Sequence, residues 1–287
     1  NVPRCSKAAH QKILALVEAS PTALLARDLE RRVMVEMGLA RRATRRLIHE
    51  MVARRHLAYR VDLGHTFIGR AHDTPQRIGE RIVIVPQGQR WRCGPSEVAV
   101  TLQRGVAFGY GSHATTLLCL EGLAGLFPAA DASPPMTRSR LCDVGTGSGI
   151  LALAGLGLGI DSALAIDTDS CARHEARANA QLNQVADRIT IRADGLEGGD
   201  GQFDLILANL RWPTLSQMGR VFAAHLKDSG ALVVSGVRPE EAYALITSYQ
   251  MLGLGCAWQA ERHQWSGLAF RPIGAKNTVF LNDQSVN

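Results

Sequence analysis

Long hydrophobic runs are missing from this chain of 287 residues. No stretch approaches the roughly 18–20 consecutive apolar residues that a membrane span requires, so no membrane partner is expected. The start, NVPRCSKAAH, lacks both an initiating Met and the charged-then-apolar order of a secretory signal. Six cysteines, at 5, 93, 119, 142, 171 and 256, form no CxxC pair and have no histidine at metal-ligand spacing. Such scatter argues against a zinc site and a disulfide scaffold, and for a reducing, cytoplasmic setting. Nor is there a nucleophile–histidine–acid series that would suggest covalent catalysis. What remains is 46% apolar and 20% charged, an ordinary globular composition for one large or two modest domains.

Charge is present but unevenly placed. Residues 1–70 hold fourteen Lys and Arg against six Asp and Glu, a net of +8, whereas the other 217 carry 18 against 20, a net of −2. That asymmetry predicts two domains with different partners. The basic segment reads as three helices and a hairpin. Ile13, Leu14, Leu16 and Val17 form one stripe over residues 7–19. Ser20-Pro21-Thr22 breaks it, with Thr22 as the expected N-cap of a helix carrying Leu24, Leu25, Leu29 and Val33. A third helix over about 39–57 turns Leu47, Ile48, Met51, Val52 and Leu57 inward, and 58–61 and 66–68 read as strands around a Leu63-Gly64 turn. Three helices and a hairpin is the order of a winged helix-turn-helix, in which the third helix faces the nucleic-acid groove. Its first turns carry Arg41, Arg42, Arg45 and Arg46 off the apolar stripe, suited to phosphate and guanine contacts. A solvated basic face on a protein-contact module is the competing reading, and fold alone does not choose.

Residues 71–135 read as a join containing strands at 81–85 and 98–102, a helix from about Thr115 to Gly125, and a small-residue loop at 129–135. From residue 136 to 273 strands and helices alternate, predicting a doubly wound α/β domain that ends in an antiparallel pair at 255–263 and 267–271, with a tail at 274–287. At the end of its first strand stands Asp143-Val144-Gly145-Thr146-Gly147-Ser148-Gly149-Ile150. The spacing is GxGxG. A dinucleotide fingerprint would need glycine at 150, where Ile stands, which disfavours pyrophosphate. The second strand ends in Asp167, where an acid accepts from ribose hydroxyls; the third is expected to end in Asp194 and the fourth in Asn209. Carboxyl ends of parallel strands share one edge, so these groups predict a site for a nucleoside without phosphates, which S-adenosylmethionine (SAM) fits. The bland alternative is tight-turn glycines with three solvated strand-end polars.

Three segments then carry a resemblance. Ala107-Phe108-Gly109-Tyr110-Gly111-Ser112-His113-Ala114-Thr115-Thr116 is similar to AFGTGTHPTT; LCDVGTGSGILALAGLGLG (141–159) precedes AIDTD (165–169); and Phe203-Asp-Leu-Ile-Leu-Ala-Asn209-Leu210 is a strand ending in Asn. Over about residues 80–272 the chain resembles the ribosomal protein L11 methyltransferase (PrmA-type) family of class I SAM-dependent methyltransferases. That resemblance implies a Rossmann-like sheet. It implies that Asp143, Gly145 and Gly147 line the methionine part of SAM, Asp167 holds the ribose and Asp194 lies near the adenine. It also implies that the loop with Phe108, Gly109, Thr115 and Thr116 covers the methionine end, and that Asn209 orients the acceptor nitrogen. By residue type alone, His113 fits a loop-fixing role or a substrate contact, and Thr115 and Thr116 could cap the following helix.

Departures are local. Tyr110 and Ser112 stand for threonines, Ala114 for proline. Trp212, three positions after Asn209, resembles the aromatic of the NPPY-type motif without its prolines; it either stacks on a planar substrate or fills a helix–sheet contact. The family's substrate-recognition domain is N-terminal and ferredoxin-like, whereas a basic winged-helix-like module occupies that end here. Methyl transfer from a sulfonium is a direct displacement, which asks for alignment and exclusion of water rather than acid–base machinery. The leading expectation is a SAM-dependent N-methyltransferase acting on protein amino groups, ribosomal ones included. The alternatives are a methyltransferase of nucleic acid or a small molecule, and a SAM-sensing winged-helix DNA-binding regulator. Oligomeric state is not set by the sequence.

Overall fold

A computed structural model of the chain describes residues 7–20, 24–54, 56–62, 65–70, 75–103, 113–127 and 138–274. The chain divides into two compact units, residues 1–74 and 75–287. The strands expected as a separate join thus fall, from Pro75 onward, in the second unit.

The first unit contains α1 (Lys7–Glu18), α2 (Ala26–Met37), α3 (Arg41–Ala53), β1 (Leu57–Asp62) and β2 (His65–Arg70). Its core is one cluster: Ile13 and Leu16 from α1, Leu29 and Val33 from α2, Leu47, Ile48 and Met51 from α3, with Leu57 and Ile68 from the strands. The spacing is that of helices burying one stripe each. β1 and β2 pair antiparallel, Leu57 opposite Arg70 and Asp62 opposite His65. Two expectations are corrected. The N-cap of α2 is Leu25, not Thr22, and it makes no side-chain cap. Leu57 is inward, but as the first residue of β1 rather than the last of a helix, because α3 stops at Ala53. The Leu63-Gly64 turn lies outside the described residues.

The second unit opens with β3 (Gln76–Ile78), β4 (Ile82–Pro86) and β5 (Val98–Leu102), a small sheet in which β3–β4 is antiparallel and β4–β5 parallel. Then follow α4 (Ala114–Gly125), β6 (Arg140–Val144), α5 (Ile150–Gly157), β7 (Ser162–Ile166), α6 (Ser170–Leu182), β8 (Ile189–Arg192), β9 (Phe203–Asn209), α7 (Trp212–His225), β10 (Leu226–Val237), α8 (Pro239–Gln250), β11 (Leu254–Arg262) and β12 (Trp265–Pro272). The large sheet has the order β11-β12-β10-β9-β6-β7-β8, parallel except where β12 runs against β10 and β11. This is the doubly wound α/β sheet expected, antiparallel pair included.

Period-2 alternation builds two cores from the same strands. Leu141, Ala163, Leu205, Leu207 and Val233 face α4 and α5. Cys142, Leu164, Ile206, Ala208 and Val234 face α7 and α8. Helix α5 (ILALAGLG) is apolar all round because it is buried all round. Its glycines let it press close: a Cβ on Gly155 would lie 2.5 Å from Leu141. Strand order reverses at β6, with β7 and β8 to one side and β9 and β10 to the other. Such a reversal opens a crevice beyond the carboxyl ends of the strands.

Candidate functional site

At that crevice the chain leaves β6 through left-handed glycines, Gly145 (φ +74), Gly147 (φ +56) and Gly149 (φ +84), conformations that residues with a Cβ rarely adopt. The Gly145 and Thr146 amides donate to the Ile166 carbonyl at 2.8 and 3.0 Å, fastening the loop to β7. Gly149 is the N-cap of α5 and has no side chain to cap with. Asp143 substitutes. Its Oδ2 accepts from Ala152 N (3.2 Å) and from the Thr146 hydroxyl (2.6 Å), placing a carboxylate at the positive end of a helix. Asp143 is fully buried and its Oδ1 has no partner among the described residues. Burial raises its pKa to about 7; the bonds from Thr146 and Ala152 pull the other way, and nearby Asp167 adds to the rise.

Asp167 follows β7 and is half-buried. Its Oδ2 accepts from Gly147 N and its Oδ1 from Asp169 N, both at 2.9 Å. Each oxygen keeps a second lone pair for a further donor. Asp169 caps α6 through Cys171 N. The reading of Asp194 as a strand end is corrected: β8 stops at Arg192, and Asp194 is exposed two positions beyond, its carbonyl accepting from Arg192 Nε at 3.4 Å.

Asn209 ends β9, in register with Ser235 of β10, while Ala208 pairs with Val144 just before the glycine loop. Its Nδ2 donates to Thr116 Oγ1 at 3.3 Å. Thr116 is wholly buried in the first turn of α4, so this bond ties the helix after the Phe108–Thr116 motif to the fourth strand. It also turns the Asn209 amide so that Oδ1 remains an acceptor. His113 is the N-cap of α4, its ring accepting from Thr115 N (3.3 Å) and bonding Thr115 Oγ1 (2.8 Å). The threonines therefore do not cap this helix; the histidine does. Phe108 and Gly109 lie outside the described residues.

Leu210 locks three pieces together. Its amide donates to the Ser235 carbonyl at 3.0 Å. A Cβ on Gly145 would fall 2.5 Å from its Cδ2, and a Cβ on Gly236 would fall 2.3 Å from its carbonyl oxygen. Trp212 begins α7 and packs against the core on the α7–α8 face. The aromatic that sequence reasoning missed is Trp265. Its ring centroid lies 5.7 Å from that of His113, and the Arg238 guanidinium carbon lies 4.1 Å over it. The three side chains come from three separate segments, and no local pattern announces them. Also missed was Asn179. Fully buried, it donates to the Ser148 carbonyl in the glycine loop (2.9 Å) and accepts from Gln103 N (2.9 Å) at the end of β5.

In the first unit, Arg41, Arg42, Arg45 and Arg46 are all exposed on α3. Arg41 and Arg45 bond Glu30 of α2 through Nε. Among the described residues no group of three or more His, Cys, Asp and Glu could hold a metal ion, and no helix is long and apolar enough to cross a membrane.

The sequence profile of the ribosomal protein L11 methyltransferase (PrmA) family matches residues 70–272. The ribosomal protein L11 methyltransferase of Syntrophotalea carbinolica is 38% identical over 195 residues, 68% of this chain and 62% of that protein. The one from Geotalea daltonii is 34% identical, over 67% of this chain and 62% of the relative. The crystal structure of ribosomal protein L11 methylase from Lactobacillus delbrueckii subsp. bulgaricus superposes with a TM-score of 0.60 at 28% identity, covering 69% of this chain and 98% of that one. The chain thus spans about 62% of the length of these two curated relatives, and residues 1–69 fall outside the family match.

Proposed function

The chain belongs to the ribosomal protein L11 methyltransferase (PrmA) family, and from that premise we propose that it is a SAM-dependent N-methyltransferase acting on protein amino groups, with a ribosomal protein as the acceptor class its relatives suggest. The observation that carries this reading is that Asp143, Asp167 and Asn209 stand at or just past the carboxyl ends of three adjacent parallel strands, Asp143 level with Ala165 and Leu207 and the other two residues two positions further on. The donor set suits SAM. A buried carboxylate oxygen on Asp143 lacks a partner among the described residues, in keeping with a cationic ligand portion. Asp167 keeps acceptor capacity for ribose hydroxyls. No phosphate-binding third glycine is present, since Ile150 holds that place. In this reading Asp143, Gly145 and Gly147 line the methionine end, with Phe108, Gly109, Thr115 and Thr116 covering it. Asp167 holds the ribose, and Asp194 lies toward the adenine.

When bound, SAM supplies a methyl group on a positively charged sulfur, open to direct displacement by a nitrogen lone pair. The chain's own residues have to align and dehydrate that encounter. Asn209 does the aligning. With one Nδ2 proton committed to Thr116, the amide is held with its Oδ1 as an acceptor, the atom that would take an N–H from the incoming amine and leave its lone pair directed away from the amide. An ammonium has no lone pair, so turnover rises with pH toward the acceptor's pKa, about 10.4 for a lysine and about 8 for an α-amine. His113 fixes the start of α4 and packs at a tilt against Trp265, a position from which both could contact an acceptor side chain. Trp212 is a packing residue here.

Asn209→Ala tests the assignment. Radiolabelled methyl transfer should fall by about a hundred- to a thousandfold, the scale seen on removing one hydrogen-bonding group from a transition state, while SAM affinity by calorimetry stays within about threefold. Equal turnover in the variant would overturn the role of Asn209.

A further inference from the structure

We propose that the exposed face of α3 is a docking surface for duplex DNA, contacted through Arg41, Arg42, Arg45 and Arg46. At about 100° per residue, positions 41, 42, 45, 46 and 49 fall within an arc of about 140°, opposite the buried Thr44, Leu47, Ile48 and Met51. The four arginines thus project from two successive turns on one side, with His49 continuing the row. The face is basic, exposed and built rather than incidental. Glu30, whose side chain is only 15% exposed, takes the Nε groups of both Arg41 and Arg45 on the same Oε1, at 2.8 and 2.9 Å. Those two guanidiniums stay 68% and 55% exposed. Their bonds to Glu30 use Nε alone, leaving the Nη groups unbonded among the described residues and available for bidentate recognition of phosphate or guanine.

Beside the row lies a cleft of about 460 Å³ whose walls include Arg27, Glu30, Arg45, His49, Tyr59 and Thr66. Tyr59 is 42% exposed, with its ring edge toward His49 at a centroid distance of 6.4 Å. Hydroxyl, imidazole and guanidinium groups at the flank of a reading helix are the groups that contact sugar and phosphate.

Charge and shape both select the occupant. Residues 1–70 carry a net of +8, complementary to a polyanion. A protein partner would be expected to find a large apolar anchor at the centre of the patch, yet the apolar side chains exposed on α3 are Ala43 and Ala53, and the aromatic Tyr59 lies at the flank of the row rather than within it. Between nucleic acids, a whole helix enters the roughly 12 Å major groove of B-form DNA, whereas the narrow major groove of A-form RNA excludes it. The proposal does not depend on the methyl-transfer reading.

The test uses the full chain and a fluorescein-labelled 20-base-pair DNA of arbitrary sequence, followed by anisotropy between about 50 and 200 mM NaCl. Four phosphate contacts give a slope of log K against log salt of about −3.6, and the double substitution Arg42→Gln/Arg46→Gln should reduce it by about 1.8. Affinity at the low-salt end should drop at least about tenfold. Neither arginine makes a hydrogen bond or ion pair among the described residues, so the thermal midpoint should hold. A control that removes two exposed arginines from the other unit, Arg90→Gln/Arg92→Gln, should leave binding unchanged. The proposal is overturned if no binding is seen at low salt, if both double variants lose equally, or if an A-form RNA duplex or poly-glutamate binds more tightly than DNA.

Discussion

The two units use polar residues in opposite ways. In the second, the important groups are few, buried or half-buried, and already bonded to one another: Asp143 to Thr146 and Ala152, Asp167 to Gly147, Asn209 to Thr116. In the first, the charged groups are many, exposed and repeated along one helix. Buried polar atoms without partners are costly, so a site made from them must be preorganised by its neighbours and shaped for one ligand. An exposed row of like charges costs little to leave open and suits a repetitive polyanion. The net charge of the whole chain blends the two and describes neither.

The comparison can be broken at several points. After Asn209→Ala, the largest effect is expected at Asp167→Ala, which removes the proposed ribose acceptor and the anchor of the Gly147 amide. SAM affinity by calorimetry should fall about a hundredfold, roughly 2.7 kcal/mol, while DNA anisotropy stays the same. Next is Thr116→Val, which keeps the volume but removes the oxygen that holds Asn209. Turnover should fall about tenfold, with SAM affinity nearly unaltered. A drop in affinity as large as the drop in rate would mean that Thr116 acts on the cofactor rather than through Asn209.

A third prediction concerns pH. The folded pKa of Asp143 lies near 7, above the ordinary carboxylate value. A raised carboxyl contributes its stability in the protonated form, so that contribution is full below about pH 4 and is lost as pH rises through 7. Urea midpoints should therefore decline across that window by more in the wild type than in Asp143→Asn. A cation bound beside Asp143 favours its ionised form. SAM affinity should rise between about pH 5.5 and 7.5 in the wild type and lose that rise in the variant. The smallest effect is expected from Arg42→Gln/Arg46→Gln on SAM affinity, less than twofold. A larger change would mean that the two units share a site.

Much of this was legible in the sequence because it is local. The GxGxG spacing, Asp167 and Asn209 sit at the ends of strongly apolar strands, and strand ends are fixed by the strands before them. The α3 arginines were legible because a stripe of Leu47, Ile48 and Met51 implies what lies opposite. Other features depend on distant segments. The cap of α4 is a histidine held against Trp265 from β12. Asn179 bridges the glycine loop and β5. Leu210 contacts Gly145 and Gly236 at once. Asp194 was placed at a strand end because the run Ile189–Arg192 carries no stop signal of its own. Trp212 left two readings open, since a Trp before Pro213 at a helix start looks the same whether it meets substrate or core.

The central claim is that the strand-end constellation transfers methyl groups to protein amines. Its most direct measurement is the full chain incubated with methyl-tritiated SAM and cell lysate, divided afterwards between protease and nuclease treatment. The account predicts label that survives nuclease, is released by protease, maps by mass spectrometry to amino groups, and is lost with Asn209→Ala. Label in nuclease-sensitive material, or no incorporation above that of Asn209→Ala, would contradict it.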